Sequence, residues 1–137
     1  MARILGIDYG TRRTGLAATD PLQIIVNPLT VLPTEEILPF LETYCKQEEV
    51  EKIVCGIPGE QFIETRKAIQ AFVRALKKVL PEMPVVFQDE SLTSQRASGI
   101  ILQSGLRRMQ RRDKRLVDQV SAVLILQEYL GHLNDVY

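Results

Sequence analysis

Three acidic positions in this 137-residue chain fall at the edges of apolar stretches. Asp8 closes "RILGID", Asp89 and Glu90 follow "PVVFQ", and Asp118 precedes "VSAVLILQ". Asp118 also shares a helical face with Ala122 and Ile125, four and seven positions on. Each has an ordinary explanation alone: an aspartate bonding the amides of its own turn, solvated residues ahead of a helix cap, a carboxylate at the positive end of a helix. Together they suggest a cluster, and a carboxylate on a packing face is costly unless its charge is compensated. Two carboxylates about 4 Å apart repel by about 4 kcal/mol at an effective dielectric of about 20, so convergence demands a cation. No lysine, histidine or cysteine lies in these motifs, which argues against zinc. Oxygen ligands with open positions suit Mg²⁺ or Mn²⁺, one or two ions. Such ions activate water and stabilise the leaving oxygen of a phosphodiester. Residue chemistry leaves the choice between Asp89 and Glu90 open.

Two basic segments flank these positions. "GTRRTG" follows Asp8 directly, with a glycine turn that would let a phosphate backbone approach and Arg12 and Arg13 to help hold it. "RRMQRRDKR" holds Arg107, Arg108, Arg111, Arg112, Lys114 and Arg115 against Asp113, a local charge of +5 in a chain whose formal net charge is zero. A charge run is usually a solvated face. This one leads straight to Asp118, and arginine forks match phosphate geometry, so a polyanion bound with strong salt dependence is expected.

The elements that must position these groups can be read from periodicity. "RILGID" is a near-continuous apolar strand, expected at the centre of a sheet. "TGLAATD" and "IIVNPLTVL" read as two more strands, joined by turns too short for crossovers and therefore antiparallel. From Thr34, a candidate N-cap, Ile37, Leu41, Tyr44 and Cys45 share a helical face, with Pro39 expected to kink the helix or delay its start. "EKIVCG" is a buried strand. Residues 60–80 form an amphipathic helix with Ile69, Phe72, Val73, Leu76 and Leu80 on one side. "PVVFQ" is the fifth strand. Thr93 caps a helix ending at Ser104 and Gly105, and residues 115–133 form a largely buried last helix. The expected fold is α/β: a mixed five-stranded sheet, three antiparallel strands and then αβαβ crossovers, flanked by helices. Phe72 and Phe87 are expected in the core.

The length suits one domain, residues 1–137. Cys45 and Cys55 are far apart and read as reduced thiols rather than a disulfide framework. No signal-peptide or membrane-span pattern is present, so a cytoplasmic protein is expected. His132, the single histidine, is expected at the surface.

In order and spacing, "GIDYGTRRTGLA", "NPLTVL", "QDESLTSQRA" and "KRLVDQVSAVLILQEYL" resemble the motifs of the YqgF (RuvX) family of bacterial RNase H-like proteins. The resemblance spans nearly the whole chain. It implies an RNase H fold and a metal-dependent endonuclease, a hydrolase processing the 5′ end of pre-16S ribosomal RNA in ribosome biogenesis. An older proposal for the family is Holliday-junction resolution. Carried over by position, the resemblance implies Asp8, Glu90 and Asp118 as the catalytic, metal-holding triad, with Thr11, Arg13 and Thr93 shaping the site. Expected partners are structured RNA and ribosomal precursor particles, or four-way DNA, which would require a homodimer rather than a monomer. Two rival readings are an idle RNA-binding module and, from "GIDYGT" alone, a phosphate loop of the actin-like ATPase and sugar kinase type. One segment departs from the family: "GIPGEQFIET" lacks the polar, glycine-containing loop usual after the fourth strand, which puts substrate contacts near Gly56 to Gln61 in doubt.

Overall fold

A computed structural model describes residues 2–89 and 114–131. Strand β1 (Arg3–Asp8) is buried on both faces, as its unbroken apolar run requires. It is the middle strand of a five-stranded sheet of order β3-β2-β1-β4-β5. β2 (Arg13–Thr19) pairs antiparallel with β1 and with β3 (Val26–Pro33). β4 (Val50–Ile57) and β5 (Val85–Asp89) run parallel to β1 and to each other. The crossovers are α1 (Ile37–Gln47) and α2 (Ile63–Val79). An antiparallel meander continued by parallel crossovers is the order that the sequence implies.

Strand alternation sorts the side chains into two layers. Leu5 and Ile7 of β1, Leu16 of β2 and Ile53 and Cys55 of β4 pack with Ile37 and Leu41 of α1 and Ile69, Phe72 and Leu76 of α2. Ile4, Ala17 and Val54 point the other way, onto Ala122, Ile125 and Leu126 of α3 (Lys114–Tyr129). At about 1.5–3 kcal/mol for each fully buried large side chain, these layers, not helix propensity, hold the helices down. Lys52 of β4 ties the far end of α3, its Nζ donating to the Tyr129 hydroxyl at 3.0 Å.

Several boundaries differ from the sequence expectation, each for a local reason. β3 starts at Val26, so Ile24 and Ile25 belong to the hairpin loop and are exposed. Their amides are captured by the Asp20 carboxylate at 2.7 and 2.9 Å, which satisfies them outside the ladder. Those bonds also hold the Asp20 carboxyl below its ordinary pKa, the Ile25 amide contributing most. Thr34 opens a short 3₁₀ turn rather than capping α1, which begins at Ile37. Pro39 thereby falls in the first turn, where its missing N–H costs nothing, so Pro39 delays the helix rather than kinking it. α2 starts at Ile63, and α3 spans Lys114–Tyr129, followed by Gly131 at φ 81°. Phe72 is core, but Phe87 is 44% exposed because β5 is an edge strand. Neither cysteine is in a disulfide. Among the described residues, no helix is long and apolar enough to cross a membrane. The expected Thr93 helix and His132 lie outside the described residues.

Candidate functional site

Asp8 is the last residue of β1 and shares the strand parity of Ile4, so it lies on the α3 face of the sheet. Its register partner across β2 is Gly15. Gly15 is also where α3 makes a close approach: a Cβ built there would meet the Asp118 carbonyl oxygen at 2.5 Å and the Asp118 Cβ at 3.5 Å. One glycine therefore adjoins both aspartates, Asp8 beside it in the sheet and Asp118 above it on the helix. Gly6 gives α3 similar access two residues earlier on β1, a Cβ there meeting Leu126 Cγ at 2.6 Å. Both glycines are needed as a lack of side chain that lets the helix sit down. Sequence reasoning singled out neither; their signal was a glycine inside each strand pattern, which marks close backbone approach.

The charge of Asp118 is countered by Arg13. Its Nε donates to Asp118 Oδ2 at 3.3 Å, with the two side chains 31% and 25% exposed. The sequence expected Arg13 near the carboxylates as a substrate contact, and it does meet one of them. The β1–β2 loop is braced by two hydroxyls. Thr34 Oγ1 donates to the Gly10 carbonyl at 2.5 Å and lies 2.9 Å from the fully buried Thr14 Oγ1. Thr34 N also donates to the Arg12 carbonyl at 3.0 Å. A Cβ at Gly10 would strike the Arg13 carbonyl at 2.4 Å, so the glycine is required first by the loop's own closure, not by a ligand. Thr11 and Arg12 at the loop tip are exposed.

Among the described residues no three Asp, Glu, His or Cys side chains cluster as a metal site, and Asp8 and Asp118 are two of the three acids expected. Glu90 lies outside the described residues, as do Thr93, Arg107, Arg108, Arg111 and Arg112. Lys114 and Arg115 open α3, directly ahead of the Asp118 turn. Asp89 is within β5, with the parity of Val85, which packs in the α1–α2 layer; Val86 packs in the α3 layer. Asp89 therefore belongs to the sheet face away from Asp8 and Asp118. Ser121, one turn beyond Asp118, is buried with no hydrogen-bond partner for its hydroxyl among the described residues. The donors at this corner are thus oxygens, a set that fits a hard divalent cation.

Known proteins share this arrangement of elements. The family model described as "RuvX: Holliday junction resolvase" matches residues 2–132. A Bacteroides fragilis protein named "Putative pre-16S rRNA nuclease" is 50% identical over 133 residues, covering 95% of this chain and 96% of that protein. Among solved structures, the Thermus thermophilus RuvC in complex with a Holliday junction substrate superposes with a TM-score of 0.58 at 16% identity, covering 96% of this chain and 97% of that one. The Fowlpox virus resolvase complexed with Holliday junction DNA gives 0.59 at 11% identity, covering 96% and 98%. Identities this low speak to the fold alone, which is the RNase H fold of RuvC-like proteins. By the match along nearly its whole length, the chain belongs to the RuvX (YqgF) family.

Proposed function

We propose that this protein is a divalent-metal-dependent endonuclease acting on ribosomal precursor RNA, trimming the 5′ end of pre-16S rRNA. The observation that carries the reading is the approach of α3 at Gly15, which brings Asp118 to the sheet position paired with Asp8. Two aspartates at one corner, in a family of nucleases, support a role in holding Mg²⁺ or Mn²⁺. Strand parity removes Asp89 from that corner and so supports Glu90 as the third acid. One or two such cations would supply the positive charge that activates water and stabilises the leaving oxygen.

The chain's own residues do the rest. Arg13 pairs with Asp118, and were a cation held by the aspartates its fork could instead donate two bonds to a substrate phosphate. Thr11 and Arg12 sit exposed at the loop tip, on the substrate side. Thr14 and Thr34 keep that loop from sagging. Arg107, Arg108, Arg111, Arg112, Lys114 and Arg115 hold the polyanion, and Thr93 helps shape the site. The whole of residues 1–137 acts as one domain, in the cytoplasm where ribosomes are assembled.

The family description and the junction-bound relatives give a second reading, resolution of four-way DNA. The test sets both substrates side by side: a labelled pre-16S leader RNA and a four-way junction, with Mg²⁺, and with the Asp118→Asn protein as control. Cutting of the RNA, lost in the variant, is the expected result. Symmetric nicking of the junction with no RNA cleavage would replace the proposal with the resolvase.

A further inference from the structure

The loop between β4 and α2, which departs from the family pattern, lies outside the carboxylate corner yet is tightly built. The Phe62 amide donates to the Gly59 carbonyl and the Arg66 amide to the Phe62 carbonyl, each at 3.0 Å. Arg66 Nη1 donates to the Pro58 carbonyl at 2.6 Å, and the Gln61 side chain folds over Gly59, its amide atoms filling the space a Cβ there would need. This bracing presents two bulky apolar side chains to solvent, Phe62 at 51% and Ile63 at 59% exposure. Such residues ordinarily gain stability from burial, so a fixed loop that keeps both out of the core calls for another reason.

Their surroundings supply one. The first turns of α2, through Glu64, Thr65 and Ala68, face Tyr9, Gly10 and Thr11 across a cleft of about 330 Å³. The far wall is the loop that continues directly from Asp8, so the cleft opens at the same carboxyl edge of the sheet as Asp8, on its α1–α2 side. The Tyr9 ring is committed to the core, 5.0 Å from that of Phe72. Phe62, the residue directly ahead of α2, is the exposed aromatic side chain that adjoins the helix turns lining the cleft in sequence. Arg66, engaged with Pro58, is not there to grip a phosphate. An exposed ring backed by an aliphatic neighbour is suited to the π-face of a base, whatever its identity. A base inside a duplex is already stacked on its neighbours and has no free face to offer.

We propose that Phe62, with Ile63 after it, is a stacking platform for an unpaired base of a strand that crosses the carboxyl edge of the sheet on the α2 side of the carboxylate corner, so that this chain selects single-stranded or bulged nucleic acid over continuous duplex. The inference rests on the nuclease reading and deepens it. The chain has no tryptophan, so Phe62→Trp installs a lone fluorescent reporter at the site. Emission is followed while a short single-stranded RNA, or the same sequence as a blunt duplex, is added in EDTA to prevent cleavage; binding is measured in parallel by anisotropy of labelled RNA. The single strand is expected to quench the introduced indole saturably and the duplex not to. Phe62→Ala should weaken single-strand binding by roughly 5- to 150-fold, the range found for loss of one stacked base, while Phe62→Tyr retains it and duplex binding is unchanged. RNA that binds by anisotropy while the indole emission stays unmoved, or an equal loss for both RNAs in Phe62→Ala, overturns the platform and leaves the nuclease intact. Wild-type protein that binds the duplex and not the single strand also overturns the platform, whereas wild-type protein that cuts no RNA with Mg²⁺ overturns the nuclease reading on which it rests.

Discussion

Replacing Gly15 with alanine is a severe test of how the site is assembled. The added Cβ would lie 2.5 Å from the Asp118 carbonyl oxygen, so α3 must retreat by about 0.9 Å to reach 3.4 Å, the near limit of ordinary contact. The obstructing atom is backbone and cannot rotate aside. Overpacking of this kind costs about 1–3 kcal/mol, offset by about 0.4–1 kcal/mol from the lower entropy of the unfolded chain. A net loss of about 1–2 kcal/mol should lower Tm by about 4–8 °C for a chain of this size. Activity should fall much further, because a misplacement of about 1 Å can cost about 100-fold in rate. Gly6→Ala is the matched control. Its Cβ would press on Leu126 Cγ at 2.6 Å, about 12 Å along the helix from Asp118 at 1.5 Å per residue, so its stability should fall comparably with little effect on cleavage. Both variants would be followed by thermal unfolding and by cleavage of leader RNA well below Tm. Equal activity in the two would refute the claim that the Gly15 contact sets the geometry of the acids.

Two further substitutions probe the groups around the acids. Arg13→Gln removes the charge now paired with Asp118, so calorimetric titration should find Mn²⁺ binding tighter, while stability falls by only about 0.2–1 kcal/mol because the pair is partly exposed; weaker Mn²⁺ binding would contradict a competition between the arginine and the cation. Thr34→Val leaves the Gly10 carbonyl only the longer 3.5 Å contact from Thr14 Oγ1 and strips the buried Thr14 hydroxyl of its 2.9 Å neighbour, for an expected loss of about 1–3 kcal/mol in urea unfolding, and an unchanged midpoint would mean the loop is braced otherwise.

Much of this fold was legible because its signals are periodic. The central position of β1 follows from its apolar run, the antiparallel meander from short links, and the two layers from alternation along the strands. What escaped is what depends on partners remote in sequence. Ile24 and Ile25 look like strand residues until Asp20 takes their amides. Phe87 looks like core until β5 turns out to be an edge. At the site, Asp8, Asp118 and Arg13 were each visible as residue types at strand and helix ends, but the Arg13–Asp118 pair spans 105 positions and no local pattern encodes it. Gly10 drew attention as a phosphate turn, whereas the glycine that matters most to the acids is Gly15, whose neighbours only the packed helix reveals. Asp89 illustrates the gain: its residue type left it a candidate, and strand parity places it on the sheet face of Val85, away from Asp8.

The central claim is that Asp8 and Asp118 serve one cation site. The most direct measurement is Mn²⁺ affinity by calorimetry for wild type, Asp8→Asn, Asp118→Asn and the double variant. Groups that share a ligand give strongly non-additive effects, so each single substitution should abolish tight binding and the double should lose little more. Wild-type affinity in either single variant, or losses that simply add, would mean that the two aspartates do not hold an ion together.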